Sequence, residues 1–556
     1  MTLEKTVQNN LIQIFTKLGY HHIGSNIKLL GNSPKLDDNF KKQIERLNKD
    51  VLQGNELTND EFQRLRNQYP KNHTDAFNKL RNGVRIVLDS NKTVSIKFID
   101  RENFENNVYQ ITDELTIGGI KENRLDLVVL INGVPISNIE MKRAGKKHGV
   151  DEAIGQINRY SNNGIYHQDL LNFIQFFGAS DSVETRYFSV DPRTDRGASY
   201  GEFAFTWMDK NNKPVNKVED FVAEFFQKEF LHRLLFHYML IKPLPEEQIV
   251  IMRPYQIHAL HAIVSTLDKG LGFNTYISAS TGSGKTLTSF KTAEVLASQG
   301  KKVIMLLDRN DLAEQTTREF KTFDANGLIK DLVKGSGLNK SLRNEHDKFV
   351  ITTIQSFTNW IREERHSKAV ERLANSKEVV ILVDECHRST SKEMFASIKR
   401  AFLDNEHGNI LKCHLVGFTG TPLLEENSKS ANQMTQVVFG EVSHIYTITE
   451  AIRDKSVLPF KQFTVKVESG VDPKKIKEYK KAEYFGNPLR IEANAAEIVK
   501  QFKNHTLQID EVKSSSTKGF VAMLAADNKS AAVQYWELIR EAFKKENRKT
   551  AIVFSL

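Results

Sequence analysis

The chain has 556 residues, 40% of them hydrophobic and 26% charged, with a formal net charge of +9, a length that implies about three to five domains and a charge that favours a polyanionic partner such as nucleic acid. Its two cysteines, Cys386 and Cys413, exclude a disulfide framework and a four-cysteine zinc site. No run of about 18 apolar residues exists, which excludes a membrane-spanning helix, and Met1 to Leu30 has no basic start followed by an unbroken apolar core, which predicts a cytoplasmic protein. Val7, Leu11, Ile14, Phe15 and Leu18 recur at helical spacing before Gly19, so the first predicted element is an amphipathic helix. Lys35 to Asn82 is polar and charged, with helical patches such as Glu61 to Arg66, and reads as surface helices and loops. Strand-like runs follow at Val84–Leu88, Val94–Ile99 and Tyr109–Ile111.

Arg124 to Ile131, then Asn132-Gly133, then Val134 to Lys142 reads as a β-hairpin whose period-two geometry puts Glu140 and Lys142 on one face of the second strand. An acid on the first strand plus Glu-x-Lys on the second is a metal-dependent phosphodiester-cleaving constellation. Asp126 and Glu140 would hold Mg²⁺, and Lys142 would orient the nucleophile or offset phosphate charge. A strict two-residue loop pairs Asp126 with Ile139 and separates the two acids onto opposite faces. The chemistry therefore predicts a three-residue loop with a bulge, which sets Asp126 opposite Glu140.

This segment resembles the PD-(D/E)xK nuclease superfamily, whose Asp and Glu-x-Lys match Asp126, Glu140 and Lys142. Gln156-Ile157-Asn158-Arg159-Tyr160 is similar to the Q-x-x-x-Y helix motif of its RecB-like branch, which adds Gln156 and Tyr160 to the candidate catalytic residues. Leu125 stands where that family often has proline, and the upstream acid is Glu4 or lies at the position of Gln8. Phe173–Ser180, Arg186–Val190 and Ala204–Trp207 are expected to continue the sheet, and Val218 to Leu240 to form a long closing helix. The nuclease domain is placed at 1–241 and a linker, containing Lys242-Pro243-Leu244-Pro245, at 242–249.

Ser278-Ala279-Ser280-Thr281-Gly282-Ser283-Gly284-Lys285-Thr286 follows the apolar Tyr276-Ile277 and precedes a helix-like run, Leu287 to Ser298. Thr281, Gly282, Ser283 and Gly284 let backbone N–H groups close around phosphate oxygens, Lys285 adds charge, and the Thr286 hydroxyl can hold Mg²⁺. Ala279 occupies the place of the first glycine of the strict motif. Downstream, Val379 to Val383 is an apolar strand delivering Asp384-Glu385-Cys386-His387. Asp384 can hold Mg²⁺ through water and Glu385 can orient the attacking water, while Cys386 reads as a packing residue.

The run from Arg253 to Pro422 resembles the ordered motifs of superfamily 2 ATPases. The resemblance implies that Gln256, following Arg253 about two dozen residues before the loop, reads the adenine edge. It implies backbone contacts to nucleic acid from Arg309, Thr352, Thr353 and Gln355, a link from His387 to the next motif, and coupling of ATP state to DNA grip through Thr419-Gly420-Thr421. Alternating strands and helices imply a parallel α/β sheet. The first RecA-like lobe is placed at 250–467 and the start of a second at 468–556, with helices at Ile491–Phe502 and Ser530–Lys544 and strands at Gly519–Ala525 and Thr550–Leu556.

The expected fold is thus multidomain α/β, a PD-(D/E)xK nuclease domain followed by RecA-like parallel-sheet motor lobes, the second incomplete. Because the chain stops within a strand and shows no late arginine finger, it is expected to be truncated, to bind ATP and to hydrolyse it poorly; such an arginine is worth on the order of 10³–10⁵ in rate. As a whole the sequence resembles the motor and restriction (R) subunit of type I restriction-modification enzymes. The resemblance implies ATP and Mg²⁺ as cofactors, ATP-driven translocation of double-stranded DNA, and cleavage away from the recognition site. It also implies methyltransferase and specificity subunits as partners. Two alternatives stay open: a stand-alone superfamily 2 translocase or repair helicase with a degenerate nuclease module, and a non-catalytic ATP-dependent DNA clamp.

Overall fold

The structure is a computed structural model that describes residues 3–25, 27, 35–117, 123–142, 149–181, 183–190, 204–242, 247–270, 273–308, 310–324, 327–329, 336–363, 368, 370–371, 373, 379–387, 413–424, 435–459, 487–506, 523–526, 528–544 and 550–552. It divides into two compact units, Met1–Leu458 and Pro459–Leu556.

The first unit holds two six-stranded sheets. The amino-terminal sheet is mixed and runs in the order β1 (His21–Ser25), β4 (Tyr109–Ile117), β5 (Asn123–Ile131), β6 (Val134–Met141), β7 (Phe176–Ser180), β8 (Thr185–Ser189). A two-stranded ribbon, β2 (Val84–Val87) with β3 (Thr93–Ile96), stands beside it. Helix α1 (Leu3–Lys17) buries Leu11 and Phe15 against this layer. The charged stretch, expected as surface helices and loops, folds as α2 (Lys35–Leu47), α3 (Asn59–Arg66) and α4 (His73–Asn82), and Phe40, Ile44, Leu65 and Phe77 join the main core. These apolar residues are sparse but fall at helical spacing, so each short helix buries one stripe and leaves most of its charges in water, while Glu61 is buried where it accepts the backbone N–H groups of Thr58 and Asp89.

The long helix expected at Val218–Leu240 breaks into α6 (Val218–Phe225), α7 (Lys228–Arg233) and a π-helical turn, Leu234–Tyr238. The chain then enters β9 (Met239–Lys242), which pairs antiparallel with β10 (Gln248–Ile251). Lys242 and Gln248–Ile249, expected in a linker, are therefore strand residues. Ala204–Trp207, expected to continue the sheet, pairs with it at one bridge, Tyr187 to Phe205, and packs the Trp207 ring on Tyr187.

The second sheet is parallel throughout, in the order β13 (Phe349–Thr353), β12 (Lys302–Leu307), β14 (Val379–Val383), β15 (Cys413–Thr419), β11 (Thr275–Ala279), β16 (Val442–Tyr446). Along β12 alternate residues enter opposite cores, Ile304 and Leu306 on one side, Val303, Met305 and Leu307 on the other. Burial on both faces is why these strands read as unbroken apolar runs. Helices α8 (Pro254–Leu267) and α9 (Lys285–Ser298) pack on each other, α8 also against β16 and β11 and α9 against β12 and β14.

In the second unit the described residues form the helices Pro488–Thr506 and Lys529–Lys544, packed through Ile491, Ala495, Ala531 and Tyr535. Residues 523–526 and 550–552 carry no strand. The remainder of the two strands expected there, and the expected boundary at 467–468, lie outside the described residues.

Candidate functional site

The hairpin of β5 and β6 decides where the first set of carboxylates goes. Ile131 pairs with Val134 across a tight two-residue turn, with Asn132 at φ +50° and Gly133 at φ +77°. This corrects the expected three-residue loop. The turn is tight because Asn-Gly suits two successive left-handed residues and because Asn132 is fully buried, its amide donating to Phe98 O at 3.0 Å and Asn107 Oδ1 at 2.8 Å. A side chain at Gly133 would meet the Phe40 backbone at 2.6 Å.

The register shift comes later, as a bulge. Leu130 pairs with Pro135 but Val129 pairs with Ser137, leaving Ile136 as the extra residue. Pro135 cannot donate to the ladder, and a bulge is where a sheet interior accommodates proline. From there Leu127 faces Ile139, and one step further along the same register Asp126 faces Glu140.

The two acids interlock. Met141 N donates to Asp126 Oδ2 at 2.8 Å, and Asp126 N lies 3.4 Å from Glu140 Oε1. Glu140 is fully buried and Asn138 Nδ2 donates to its Oε1 at 2.9 Å, while Oε2 is buried with no hydrogen-bond partner among the described residues. Burial first, then the Asp126 charge, push the Glu140 carboxyl well above its usual range, with Lys142 opposing. A buried carboxylate oxygen facing a second carboxylate, with no donor to satisfy it, is a site short of positive charge. The hard oxygen donors fit Mg²⁺, although no group of three or more metal-binding side chains gathers among the described residues.

Around this pair, on helix α5 (Gly149–Asn162), Tyr160 OH donates to Arg124 O at 3.0 Å and accepts from Gln156 Nε2 at 2.8 Å. Burial and then the Glu140 charge raise the Tyr160 pKa. Lys142 is half-buried at the end of β6, its backbone N–H on Ser180 O at 2.8 Å. Gln8 Nε2 donates to Asp126 O at 2.9 Å, so α1 supplies a polar side chain at the site. Glu4 lies in α1, and its side chain is outside the described residues. Sequence reasoning missed Asn138; its signal is the period-two run Asn138, Glu140, Lys142 on one strand.

The second site lies at the carboxyl ends of the parallel strands. Gly282 (φ +82°) and Gly284 (φ +79°) curve the loop from β11 into α9. Lys285 Nζ donates to Ala279 O at 3.3 Å and lies 3.8 Å from Glu385 Oε1. Thr281 and Thr286 flank this lysine, Thr286 in the first turn of α9. A side chain at Gly420 would meet Ala279 O at 3.1 Å, Thr281 Oγ1 at 3.2 Å and Lys285 Nζ at 3.3 Å, so a larger residue would crowd the loop where glycine lets the 419–421 segment lie close.

Asp384 and Glu385 leave the end of β14. Burial and then the Glu385 charge push Asp384 up to about 6, with Lys285 opposing. Glu385 is held at φ +45°, a conformation that non-glycine residues adopt at a cost on the order of 1–3 kcal/mol. His387 Nδ1 lies 2.8 Å from Thr419 Oγ1 and 3.4 Å from Glu385 Oε2, and its Nε2 lies 3.4 Å from Thr421 Oγ1. The acid turn and the 419–421 segment are thus joined through one imidazole. Cys386 is buried, and its backbone N–H bonds to Phe418 O.

Gln256 is turned inward. Its Oε1 accepts from Arg253 N at 2.9 Å, and its Nε2 lies 3.2 Å from both Ser283 O and Gly284 O, so this amide braces the loop. The Arg253 guanidinium lies 4.9 Å from the centre of the Phe205 ring. Among the residues expected on nucleic-acid backbone, Thr352 and Thr353 are buried, and the Thr353 hydroxyl caps the helix Ile354–Arg362. Gln355 is exposed, and Arg309 lies outside the described residues.

The comparisons with known proteins cover both sites. The family described as type I restriction enzyme R protein N terminus matches residues 1–196, and the SWI2/SNF2 ATPase family matches residues 255–487. A type I restriction enzyme endonuclease subunit from Staphylococcus aureus is 33% identical over 460 residues, 82% of this chain and 47% of that one. The C-terminal part of such a subunit from Mycoplasma pneumoniae is 30% identical over 210 residues, 35% of this chain and 99% of that one. The chain belongs to the endonuclease (R) subunits of type I restriction enzymes. It spans about half the length of the R subunits from Staphylococcus that it matches. Among solved structures, the helicase domain of Hef from Pyrococcus furiosus aligns with TM-score 0.28 and 17% identity, over 51% of this R-subunit chain and 53% of that one.

Proposed function

We propose that this chain is the nuclease and motor portion of an ATP-dependent type I restriction endonuclease. It translocates double-stranded DNA and cleaves unmodified DNA away from the recognition site, in the cytoplasm, assembled with methyltransferase and specificity subunits. The observation that carries the reading is the bulge at Ile136, which brings Asp126 and Glu140 together and leaves one buried carboxylate oxygen without a donor among the described residues.

Asp126 and Glu140 would hold Mg²⁺, with Gln8 fixing the strand at Asp126 and Asn138 fixing the Glu140 rotamer. Bound there, the ion supplies Lewis-acid stabilisation of the phosphate and a more acidic water. Lys142 orients the nucleophile or offsets phosphate charge, and Gln156 with Tyr160 locks the helix behind the carboxylates. At the motor site Thr281, Gly282, Ser283, Gly284 and Lys285 receive ATP phosphates, and Thr286 with Asp384 would hold the accompanying Mg²⁺. Glu385 orients the attacking water, and His387 passes the state of that site to Thr419-Gly420-Thr421. Arg253 and Gln256 support the loop from the adenine side.

The test is cleavage of unmodified DNA by the assembled enzyme with ATP and Mg²⁺. Glu140→Ala and Lys285→Ala should each abolish cleavage, while DNA-stimulated ATPase persists in Glu140→Ala alone. Cleavage by Glu140→Ala at the wild-type rate would overturn the nuclease assignment, and ATPase unaffected by Lys285→Ala would overturn the motor assignment.

A further inference from the structure

The nuclease portion reaches the phosphate loop through a turn that no motif includes. After Phe205 bridges to the nuclease sheet, the chain makes a small hairpin, Met208 pairing with Pro214, with Trp207 buried in the nuclease core. At its tip Asn212 takes φ +58° and is 5% exposed. Its Nδ2 donates to Ile445 O at 2.8 Å and to Glu450 Oε1 at 3.0 Å, and its backbone carbonyl accepts from Arg453 Nη2 at 2.9 Å. All three partners belong to the motor lobe, in β16 and in the helix Ile448–Arg453 that follows it. Two acceptors facing Nδ2 fix which way the amide points, since a flipped oxygen would be repelled by both.

The residue after Ile445 is Tyr446, and it holds the phosphate loop from two sides. Its carbonyl accepts the Ser280 N–H at 3.0 Å. Its ring stacks on Tyr255 with centroids 3.6 Å apart and planes 9° from parallel, and the Tyr255 hydroxyl donates to Ser283 O. A second route closes the circuit: Arg453 bonds Asp454 at 2.6 Å, and Asp454 Oδ2 accepts from Tyr446 OH at 3.1 Å. Asn212 therefore grips both the strand that ends in Tyr446 and the arginine that anchors its hydroxyl.

We propose that Asn212 is a positioning residue for nucleotide binding, through which the nuclease portion sets the geometry of the phosphate loop. The inference rests on reading the loop as an ATP site. A loop held by hydrogen bonds at Ser280 and Ser283 presents its N–H groups at fixed spacing, and loosening Tyr446 lets that spacing drift. Affinity for nucleotide then depends on a residue that contacts no part of it.

Asn212→Gly is the first variant, because glycine keeps the left-handed backbone and removes only the amide. In the subunit, the Kd for a ribose-labelled fluorescent ATP analogue should rise about fivefold or more, with turnover at saturating ATP within about twofold of wild type. Asn212→Asp sets a carboxylate against two acceptors and should weaken binding at least as much. Adding Glu450→Gln to Asn212→Asp supplies a donor and should recover part of the loss. Arg453→Ala, at a side chain 44% exposed, keeps the test decisive if the Asn212 variants do not fold, and should shift Kd in the same direction. A folded Asn212→Gly with a Kd within twofold of wild type sinks the proposal, as does an unchanged Kd in Arg453→Ala. Lys285→Ala separates the two levels: if wild type binds the analogue no better than Lys285→Ala, the ATP reading itself fails, whereas a defect in Lys285→Ala alone leaves that reading intact and removes only Asn212.

Discussion

The two sites differ in how completely their polar groups are satisfied. Around the phosphate loop most polar groups answer one another, the neutral Ser280 Oγ excepted: Ser283 O receives both Tyr255 OH and Gln256 Nε2, Ser280 N–H meets Tyr446 O, and His387 joins Glu385 to Thr419. In the amino-terminal sheet Glu140 Oε2 is buried against Asp126 with no donor among the described residues. A redundant network holds its shape with or without ligand, whereas an orphaned carboxylate lowers the stability of the fold until a cation arrives. The proposed motor site should thus tolerate the loss of one of two donors that share an acceptor, and the proposed nuclease site should respond sharply to charge.

The largest effect expected from that contrast is on stability against pH and Mg²⁺. Glu140 has an ordinary value of 4.5 and is raised by folding, so below 4.5 it is protonated in both folded and unfolded chains. As pH rises above that value the unfolded chain loses the proton first, and folding stability falls until the folded carboxyl also ionises. Glu140→Gln carries no such charge and keeps an acceptor for Asn138. In EDTA the melting temperature of Glu140→Gln should therefore exceed that of wild type at pH 8, by several degrees, and the gap should close toward pH 4. Saturating Mg²⁺ should raise wild type and leave the variant unmoved. Taking the difference between the two proteins cancels the buried histidines His237, His261 and His444, each lowered to about 4 mainly by burial, which lose stability as pH falls. Equal melting curves in EDTA at pH 8 would show that Glu140 is not a buried charge, and the contrast would collapse.

A smaller effect is expected at Gln8, whose amide holds the backbone carbonyl of Asp126 from α1. Removing one such bond is worth about 1 kcal/mol, so Gln8→Ala should raise the Mg²⁺ concentration for half-maximal cleavage by up to about tenfold, with ATPase unchanged. A rise in ATPase KM of the same size would mean that α1 serves the whole unit rather than this site.

How legible the two sites are in sequence follows the same division. The phosphate loop is one contiguous stretch, and strand, turn and helix can be read from Tyr276 to Ser298 without knowing any partner. Asp384 and Glu385 follow an unbroken apolar strand, which marks the end of a buried parallel element. The nuclease pair depends on register between two strands, and register is set by Ile136 bulging beside Pro135, which no local spacing reveals. Gln8 and Asn212 act across 118 and 233 positions of sequence, on Asp126 and Ile445, so only the folded chain brings them into view. In the charged stretch Lys35–Asn82 the helices are legible but their share of the core is not, because its apolar residues are few, and few are enough when each falls on the same helical stripe.

The smallest expected effect tests the redundancy directly. Ser283 O accepts from Tyr255 OH and from Gln256 Nε2, which also reaches Gly284 O. Tyr255→Phe keeps the ring stacked on Tyr446 and deletes one of the two donors, so the ATP KM should change by no more than about threefold. Gln256→Ala removes the other donor together with the brace on Arg253 N, and should cost somewhat more. In the double variant Ser283 O is left without either, and because the two donors back each other up, the combined loss should exceed the product of the single losses. Strict additivity across this cycle would mean that each donor acts alone. In that case the motor site is no more redundant than the nuclease site, and the contrast between them reduces to the buried charge of Glu140.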